Sequence, residues 1–473
     1  MKRLPQLITF ILVVLCPTIN WAQDQSKIFT FKDLYDIVAQ NHPVVKQANL
    51  LSEGAKQELL MARGSFDPKI EMNYDQKDFK GINYFNFWDT QLKVPIWWAG
   101  IDLKAGYERN LGKTLGTDIL TPPQGVSYVG FSLPVGRNLL IDSRRAVVKQ
   151  AQFFQKIAQA EQVKEINKII LNAAKDYWSW AFAYQQYLLL EDFYDLADVR
   201  FKAVRQRALI GDLAAVDTTE ALVTLQDRQV QRDQAAVELQ NTRLMLSNYL
   251  WRDTGEPLEI PEFARPQSFF NQVINAQTLD GLLEKARQQH PELIKIDFKQ
   301  KQLDVDRQLA RQMLMPYIKI DAAALTTGAD GFFNDANLGQ KFLRDNYKFG
   351  VDFSMPLFLR KERGKLELVK IKQLQNDLER KLLAREILND VNAAYNDVKN
   401  MELQLFVQQS AVSNQEILVR AETQKFEMGE SSLFLVNARE AKLNELRVKA
   451  ESIKAKYEKS KATLLFAAGL GEW

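Results

Sequence analysis

Two histidines are the side chains of this sequence best suited to acid–base chemistry near neutral pH. They are His42 and His290, and each directly precedes a proline. A catalytic histidine needs a nucleophile or a second base within reach, and the sequence indicates none. Because the residue before proline is disfavoured in the α region, each His-Pro pair instead predicts a helix break or a helix cap. With no phosphate-binding glycine motif and no HExxH motif either, we expect no catalytic residue, metal site or cofactor.

The composition is that of an ordinary folded chain. The 473 residues are 46% hydrophobic and 26% charged, with a formal net charge of +3. This length exceeds the usual single domain, so one large unit or two or three domains are expected. The small net charge does not indicate a nucleic acid or another polyanion as a partner.

The N-terminus has the features of a secretory signal peptide over residues 1–22. Lys2 and Arg3 precede the apolar stretch LITFILVVL, and NWAQ offers a cleavage site near Ala22. A membrane anchor or a lipoprotein at Cys16 is disfavoured, because the apolar stretch is short and Leu15 precedes the cysteine. Cys16 is the only cysteine, so the mature chain is expected to have none. After this segment the sequence has no run of about 18 apolar residues, so no transmembrane helix is expected.

The two His-Pro pairs occupy equivalent positions of an internal repeat. His42 and His290 lie 248 positions apart, and that single offset holds without a gap from Thr30 to Met72. Later matches keep the order but shorten the offset to 222 and then 218, so the first half carries 26 extra residues between its strands. The matched pairs at the three offsets include Thr30 with Thr278, Leu34 with Leu282, Pro68 with Pro316, Pro134 with Pro356, and Gly211 with Gly429.

The repeat predicts a domain order. The first repeat covers 23–256 and the second 278–473, with a linker over 257–277. Each repeat should contain a short helix, a group of strands and a long helical hairpin. The strands are expected at about 68–134 and about 316–358, and the hairpin turns at Gly211 and Gly429.

The predicted strands alternate apolar and polar residues. In the stretch YKFGVDFSMP, Tyr347, Phe349, Val351 and Phe353 fall on one face, opposite Lys348, Asp352 and Ser354. This period suits a soluble sandwich or a membrane barrel. The aromatic residues between the first-half strands favour the barrel, since Trp and Tyr prefer membrane–water boundaries.

The helical regions are unusually long. Neither 135–256 nor 357–473 contains a proline, and each is divided by a glycine followed by capping residues. At 1.5 Å per residue, the arm from Leu139 to Leu209 would be about 105 Å long. In the last arm a heptad seam of Leu443, Ala450, Tyr457 and Leu464 predicts a coiled coil. A few strands per half cannot close a barrel, so several copies of the chain are expected to close it together.

With these features the chain resembles the TolC-type outer-membrane efflux proteins. The resemblance rests on FTFKDLYDIVAQNHPVV and QTLDGLLEKARQQHPEL opening the halves, on the SLP and SMP strand ends, and on the two glycine turns. It covers nearly all of the mature chain. No single motif is specific for this family, but the duplication of all these features in the same order is.

The resemblance implies a mostly α fold with a small β-barrel part. Long antiparallel coiled-coil hairpins would form a periplasmic tunnel, and each chain of a homotrimer would give four strands to a shared twelve-stranded barrel in outer-membrane lipid. A periplasmic adaptor protein and an inner-membrane transporter would be its partners. The family performs no covalent chemistry, and the inner-membrane partner supplies the energy.

The resemblance also implies roles for individual residues. Pro134 and Pro356 match the positions where strand turns into helix, and Gly211 and Gly429 match the hairpin tips. The family can narrow its periplasmic entrance with acidic residues near these tips. Asp217 matches such an acidic position, and Arg207 and Lys425 match basic ones, whereas Leu435 departs from an aspartate. The expected gate is therefore a ring of Asp217 residues or a partly apolar constriction. Solvated helix positions are the alternative for Asp217, Arg207 and Lys425.

Other functions remain open at this stage. The chain could serve type I protein secretion as the outer-membrane component, or be a periplasmic coiled-coil scaffold or adaptor. The 26 extra residues could form an extracellular hairpin or join the barrel. The sequence does not identify the cargo.

Overall fold

We describe the protein from a computed structural model, over residues 28–112, 120–269, 275–329 and 345–471. The predicted signal peptide at 1–22 lies outside these ranges. Among the described residues, no helix is both long and apolar enough to cross a membrane. In chain order the elements are β1 (Ile28–Phe29), α1 (Phe31–Asn41), α2 (Pro43–Arg63), β2 (Lys69–Phe79), β3 (Ile82–Pro95), β4 (Asp102–Leu111), β5 (Val126–Gly136), α3 (Ser143–Leu209), α4 (Ala215–Ser247), β6 (Arg265–Pro266), α5 (Ala276–Gln289), α6 (Pro291–Gln312), β7 (Tyr317–Thr327), β8 (Tyr347–Ser354), α7 (Arg360–Glu427) and α8 (Leu433–Ala467).

Both histidines cap helices. The Nδ1 atom of His42 accepts a hydrogen bond from the backbone N–H of Val44 at 3.1 Å, and that of His290 accepts one from Glu292 at 3.3 Å. Proline then occupies the first position of α2 and of α6, where its missing N–H costs nothing. The prediction that each His-Pro pair marks a helix break or cap is confirmed. Each repeat thus opens with two helices that meet at the pair.

The larger sheet is antiparallel and has six strands in the order β2-β3-β4-β5-β7-β8. The four strands that the resemblance implies are too few, because the extra residues of the first half form β3 and β4 inside the sheet. Strands β5 and β7 join the two halves of the chain, with Val126 opposite Thr327 and Gly136 opposite Tyr317. Strands β2 and β8 form the two edges.

The described chain divides into two compact units, and each draws segments from both repeats. One comprises residues 28–38, 173–269 and 404–458, and the other comprises 39–112, 120–172, 275–329, 345–403 and 459–471. These compact units differ from the two sequence repeats, 23–256 and 278–473. The division into repeats stays a prediction. The long helices α3 and α7, of 67 and 68 residues, each contribute to both units.

The first unit is organised around aromatic residues of α3. Tyr177 is fully buried, and its hydroxyl donates to the backbone carbonyl of Phe29 at 2.7 Å. The same oxygen accepts the backbone N–H of Gln267 at 3.1 Å, beside the parallel pairing of β1 with β6. Trp178 and Trp180 surround this point. The segments around Phe29 and Gln267, which are distant in sequence, are therefore both hydrogen-bonded to Tyr177 of α3.

In α8 the predicted heptad positions lie inside. Leu443, Ala450, Tyr457 and Leu464 are each less than one tenth exposed. Burial of every seventh residue is what a coiled-coil seam requires. Supercoiling itself stays a prediction.

The second unit contains the sheet and a polar junction where the β3–β4 turn meets the start of α3. Asp142 caps α3 by accepting the backbone N–H of Arg145 at 2.9 Å, and it also accepts the guanidinium of that arginine at 3.2 Å. Arg144 donates to Asp102 at 2.7 Å and to the carbonyl of Gly100 at 3.3 Å. Asp142 and Arg145 are almost fully buried, so the turn is held by paired charges rather than by exposed side chains.

Candidate functional site

The six-stranded sheet has one apolar and one polar face. The strand registers place most of its large apolar side chains on one side, where they are exposed in the single chain. A soluble protein rarely exposes so large an apolar surface without a partner or a membrane. These residues, the apolar face, are Ile70, Met72, Tyr74, Trp88, Leu92, Leu103, Val129, Phe131, Tyr347, Phe349, Val351 and Phe353.

The opposite, polar face is crossed by a chain of ion pairs. The ammonium of Lys319 lies 2.9 Å from Asp321 and 2.8 Å from Asp352. Asp321 also accepts Lys104 at 3.2 Å and the hydroxyl of Ser132. These contacts link β4, β5, β7 and β8, because Asp321 of β7 contacts Ser132 on the adjacent strand β5 and Lys104 on β4 beyond it, and Lys319 of β7 contacts Asp352 on the adjacent strand β8. Two further pairs among the described residues of this face are Lys93 with Asp102 at 3.4 Å and Lys348 with Glu108 at 4.0 Å.

The two proline positions differ in detail. Pro134 lies within β5, opposite Lys319 and two residues before the strand ends, and Gly136 follows it with φ +85°. Pro356 lies two residues after the end of β8 and four before α7 begins. Proline is suited to the end of a strand because it cannot donate a ladder hydrogen bond. Both prolines precede a long helix, and their roles stay predictions.

The glycine turns of the two hairpins have the same hydrogen-bond pattern. Gly211 and Gly429 have φ values of +83° and +80°. The N–H of the residue after each glycine reaches back five residues, from Asp212 to the carbonyl of Arg207 at 2.9 Å and from Glu430 to that of Lys425 at 2.8 Å. This is a Schellman cap, which satisfies the last carbonyls of a helix and needs a left-handed residue. The turns lie between α3 and α4 and between α7 and α8.

The candidate gate residues lie around these turns. Asp217 and Leu435 occupy the third position of α4 and of α8, six residues after each glycine. Asp217 is half-buried and Leu435 is 44% exposed. An aspartate in a first helical turn also interacts favourably with the helix dipole. The structure therefore puts the two residues at equivalent points of the two hairpins, as the repeat predicts.

The basic candidates have other partners. The guanidinium of Arg207 lies 2.6 Å from Asp212, so it pairs across its own turn rather than with Asp217. Lys425 is exposed, and its carbonyl takes part in the second turn. Sequence reasoning missed Asp212 as the partner of Arg207, although its position beside a turn glycine was a usable signal.

Contacts between the hairpins hold the two turns together within the first unit. Val204, Ala221 and Leu433 form a small buried cluster below the turns, with Phe201, Leu213 and Phe426 packed against it. One turn of helix further along, the guanidinium of Arg200 forms two hydrogen bonds with the carboxylate of Glu440. Sequence reasoning also missed this pair, because its members are 240 residues apart.

The environment of His290 confirms its structural use. Burial lowers the pKa of His290, against the opposite influence of the carboxylates of Glu292 and Asp390 and with a further contribution from Lys164. Burial would raise the pKa of Glu292, but the ammonium groups of Lys164 at 2.5 Å and Lys295 at 3.6 Å together outweigh it, and the pKa of Glu292 is lowered. The imidazole is thus kept neutral, and its Nδ1 is available as a cap. Within the described residues, no group of three or more metal-ligating side chains comes together.

Comparison with known proteins agrees with this geometry. Residues 282–471 match the model of the outer membrane efflux protein family. No curated protein matches the chain. The resemblance to TolC-type outer-membrane efflux proteins is confirmed.

Solved structures show the same fold across most of the chain. The CmeC outer membrane channel of Campylobacter jejuni aligns with a TM-score of 0.61 and 14% identity, over 93% of this chain and 85% of that chain. The outer membrane protein VceC of Vibrio cholerae aligns with a TM-score of 0.62 and 14% identity, over 93% and 96%. The open state of the MtrE outer membrane channel of Neisseria gonorrhoeae gives 0.63 and 15%, over 93% and 89%. Identities of this size show a shared fold alone.

Proposed function

Because this chain is similar to the outer membrane efflux protein family in sequence over residues 282–471 and has the fold of solved outer-membrane channels, we propose that it is the outer-membrane exit duct of a tripartite efflux pump. It conducts substrates passively from the periplasm to the outside. It performs no covalent chemistry, and an inner-membrane transporter supplies the energy through a periplasmic adaptor protein.

The two-faced sheet is the observation that carries this proposal. An apolar face from Ile70 to Phe353 suits contact with lipid, and the charged face around Lys319 suits a water-filled lumen. A periplasmic scaffold would need the helical hairpins but no such sheet. The sheet is open in one chain, with β2 and β8 at its edges. We therefore assign the working form as a homotrimer in which three sheets close one barrel and the helices form a periplasmic tunnel.

The hairpin turns form the periplasmic entrance in this proposal. Three copies of Asp217 would set a ring of carboxylates there, and three copies of Leu435 an apolar constriction near it. Rings of charge select ions, and apolar constrictions gate by dewetting. The pairing of Arg207 with Asp212 supports Asp217 as the gate carboxylate of the first turn, because Arg207 is engaged with Asp212 instead. Lys425 lies at the matching place of the second hairpin.

The first experiment is single-channel recording of the purified protein in a planar bilayer. Wild type should give a small, cation-favouring conductance, and Asp217→Ala should raise the conductance and weaken the preference for cations. Glu238→Ala is the matched control, because it removes one exposed carboxylate from the same helix, 21 residues away from Asp217. It should leave both quantities unchanged.

Each possible result decides something. If conductance and ion selectivity are the same in Asp217→Ala as in wild type, the duct is supported but Asp217 is not its gate. Leu435→Ala is then the next variant to record. Folded, detergent-extracted protein that forms no channel at all would reject the duct and favour a scaffold.

A further inference from the structure

The sheet of this chain contains two more strands than the resemblance to known ducts implies. We infer that three copies close a single eighteen-stranded barrel, in which β8 of one copy pairs with β2 of the next. This inference rests on the proposed trimeric duct and goes beyond it, because a twelve-stranded barrel would serve the same function.

Strands β3 and β4 are integral to the sheet. Ten consecutive residue pairs join them to each other, from Asn86 with Leu111 to Pro95 with Asp102. Strand β3 also pairs with β2 along its length, and β4 with β5. If the β3–β4 hairpin left the barrel, the β2–β3 and β4–β5 ladders would break, and each N–H and C=O released inside a bilayer would have no partner.

The turn between β3 and β4 is locked to the helical end of the sheet rather than to the opposite end. Gly100 has φ +66°, and an added Cβ would lie 3.0 Å from Arg145 and 3.1 Å from Asp142. Arg144 binds both Gly100 and Asp102, and it lies over the ring of Phe66. Because the start of α3 and the segment just after α2 both contact this turn, the hairpin is fixed in place. An extracellular hairpin would have its turn at the other end of the strands.

The two edges of the sheet require partners. All eleven residues of β2 are exposed in the single chain, as are seven of the eight residues of β8. Within the described ranges no other strand pairs with either outer edge. Long apolar edges associate with further strands unless they are covered, and in lipid only a closed barrel satisfies them.

The internal repeat specifies which partner fits. Strand β8 is the second-half equivalent of β5, and β2 is the first-half equivalent of β7, by the offsets that relate Pro134 to Pro356 and Pro68 to Pro316. Since β5 pairs with β7 inside the chain, β8 of one copy is expected to repeat that pairing with β2 of the next copy. A second copy of this chain is thus the occupant of both edges.

Carrying the β5–β7 register to the junction gives definite pairs. Leu133 opposite Ile320 becomes Met355 opposite Met72, and Phe131 opposite Ala322 becomes Phe353 opposite Tyr74. Both new pairs unite exposed apolar side chains of the apolar face or its continuation. Cross-strand pairs of this kind stabilise a sheet.

The same register has one unfavourable pair on the polar face. It sets Asp352 opposite Asp75 of the next copy. Lys319, 2.8 Å from Asp352, reduces the repulsion between these carboxylates.

Eighteen strands also set the width of the outer opening. Barrel diameter grows roughly linearly with the number of strands, so the barrel would be about 1.5 times as wide as a twelve-stranded one at equal strand tilt. The outer end of the duct would therefore admit larger cargo than the resemblance alone implies.

Disulfide cross-linking in the assembled membrane protein tests the junction. In a Cys16→Ser background, Tyr74→Cys with Phe353→Cys, and separately Met72→Cys with Met355→Cys, should give covalent trimers on a non-reducing gel after mild oxidation. The Cα atoms of directly opposed residues lie within the range a disulfide spans. The off-register control is Ile70→Cys with Phe353→Cys, which should cross-link at least ten-fold less.

An intrachain pair tests the strand count independently. Leu103→Cys with Phe131→Cys should close within one chain, because β4 lies beside β5. The cysteine-free protein must first be shown to form a functional trimer. If Leu103→Cys and Phe131→Cys nevertheless stay reduced, β3 and β4 do not belong to the barrel. Cryo-electron microscopy of the trimer in a nanodisc then counts the strands directly.

The outcomes separate this inference from the proposed function. Eighteen strands with in-register cross-links support both. A channel-forming trimer with twelve strands, or with junction cross-links no stronger than the control, would overturn the eighteen-stranded barrel and leave the duct intact. Protein that forms neither trimers nor channels would overturn the duct itself.

Discussion

Individual residues in this chain serve structure even where their type suggests chemistry. His42 and His290 are the only histidines, and both use Nδ1 to cap a helix. Asp142 and Arg145 are buried charges, and they fix the start of α3. The charged residues proposed to act in transport are instead half-buried ones such as Asp217 and Lys319. At this scale, burial of an ionisable group indicates a structural contact rather than a reaction.

The cap at His290 predicts a pH dependence of stability. Since burial lowers the pKa of His290 in the folded chain, the unfolded chain binds more protons, and stability is lost as the pH falls below the ordinary histidine value of about 6.5. Thermal unfolding followed by circular dichroism at pH 7.5 and 5.5 measures this loss. His290→Asn is the matched control, because asparagine also caps helices and does not titrate in this range.

We expect the melting temperature of wild type to fall more between these two pH values than that of His290→Asn. Equal falls in both proteins would show that the cap at His290 does not titrate in this window.

Among the elements, the two helical hairpins are defined by their turns and by the contacts between them. Each turn needs a left-handed residue at its glycine. Arg200 and Glu440 then join α3 to α8 a short distance from the turns. These two features give separate predictions.

Gly211→Ala should loosen the first hairpin turn. At φ +83° an added Cβ is strained, and the cost is about 1–2 kcal/mol. This corresponds to roughly 5- to 30-fold faster hydrogen–deuterium exchange over residues 205–220 if exchange follows local opening. Gly54→Ala in α2 is the control, because nothing lies within 4 Å of its added Cβ and alanine favours a helix. Unchanged exchange in Gly211→Ala would mean that the turn is not ordered in solution.

The Arg200–Glu440 pair should couple the hairpins energetically. Its side chains are only 19% and 11% exposed, so Glu440→Gln or Arg200→Met alone leaves a poorly hydrated partner and should cost about 1–3 kcal/mol. The double variant should cost less than the two single variants added together. Lys202→Met, which breaks the exposed pair with Asp198 on the same helix, should have little effect. Strict additivity in thermal unfolding would argue against the coupling.

The sequence predicted the elements better than it predicted their number or their partners. Periodicity and proline placement predicted the long hairpins with turns at Gly211 and Gly429, and the His-Pro caps. The four strands implied by the resemblance were too few, because β3 and β4 occur only in the first half, where the sequence left open whether the 26 extra residues form an extracellular hairpin or join the barrel. Pairs such as Arg200 with Glu440 or Tyr177 with Phe29 join distant segments, and no local pattern encodes such contacts. The gate residues were proposed from equivalent positions, and they stay predictions.

For the whole molecule, the polar face of the sheet sets the electrostatics of the proposed lumen. Its ion pairs place basic and acidic groups in nearly matched numbers around Lys319, Asp321 and Asp352. Removing one basic group from each of three copies would leave a clear excess of carboxylates. Ion preference is therefore expected to respond to single substitutions on this face.

Lys319→Gln should shift the reversal potential of the channel toward greater cation selectivity. The reason is that the carboxylates of Asp321 and Asp352 lose their shared counter-charge. Bilayer recordings under a salt gradient measure the shift. Lys319→Arg keeps the charge and should behave like wild type, so an equal shift in both variants would exclude this electrostatic explanation.

The pairing of β5 with β7 has a consequence for biogenesis. Its contacts include a hydrogen bond from the hydroxyl of Ser127 to the carbonyl of Gly328, 201 residues further along the chain. If the chain is exported N-terminus first, as the proposed outer-membrane location requires, strands β2 to β5 emerge first. The edge of β5 can then pair with β7 only after helices α3 to α6 have also emerged. Long-range pairing of this kind is slow, and the waiting edge is prone to aggregation. A holding chaperone would have to protect the nascent chain during this interval, so its depletion should trap the protein before the sheet is complete.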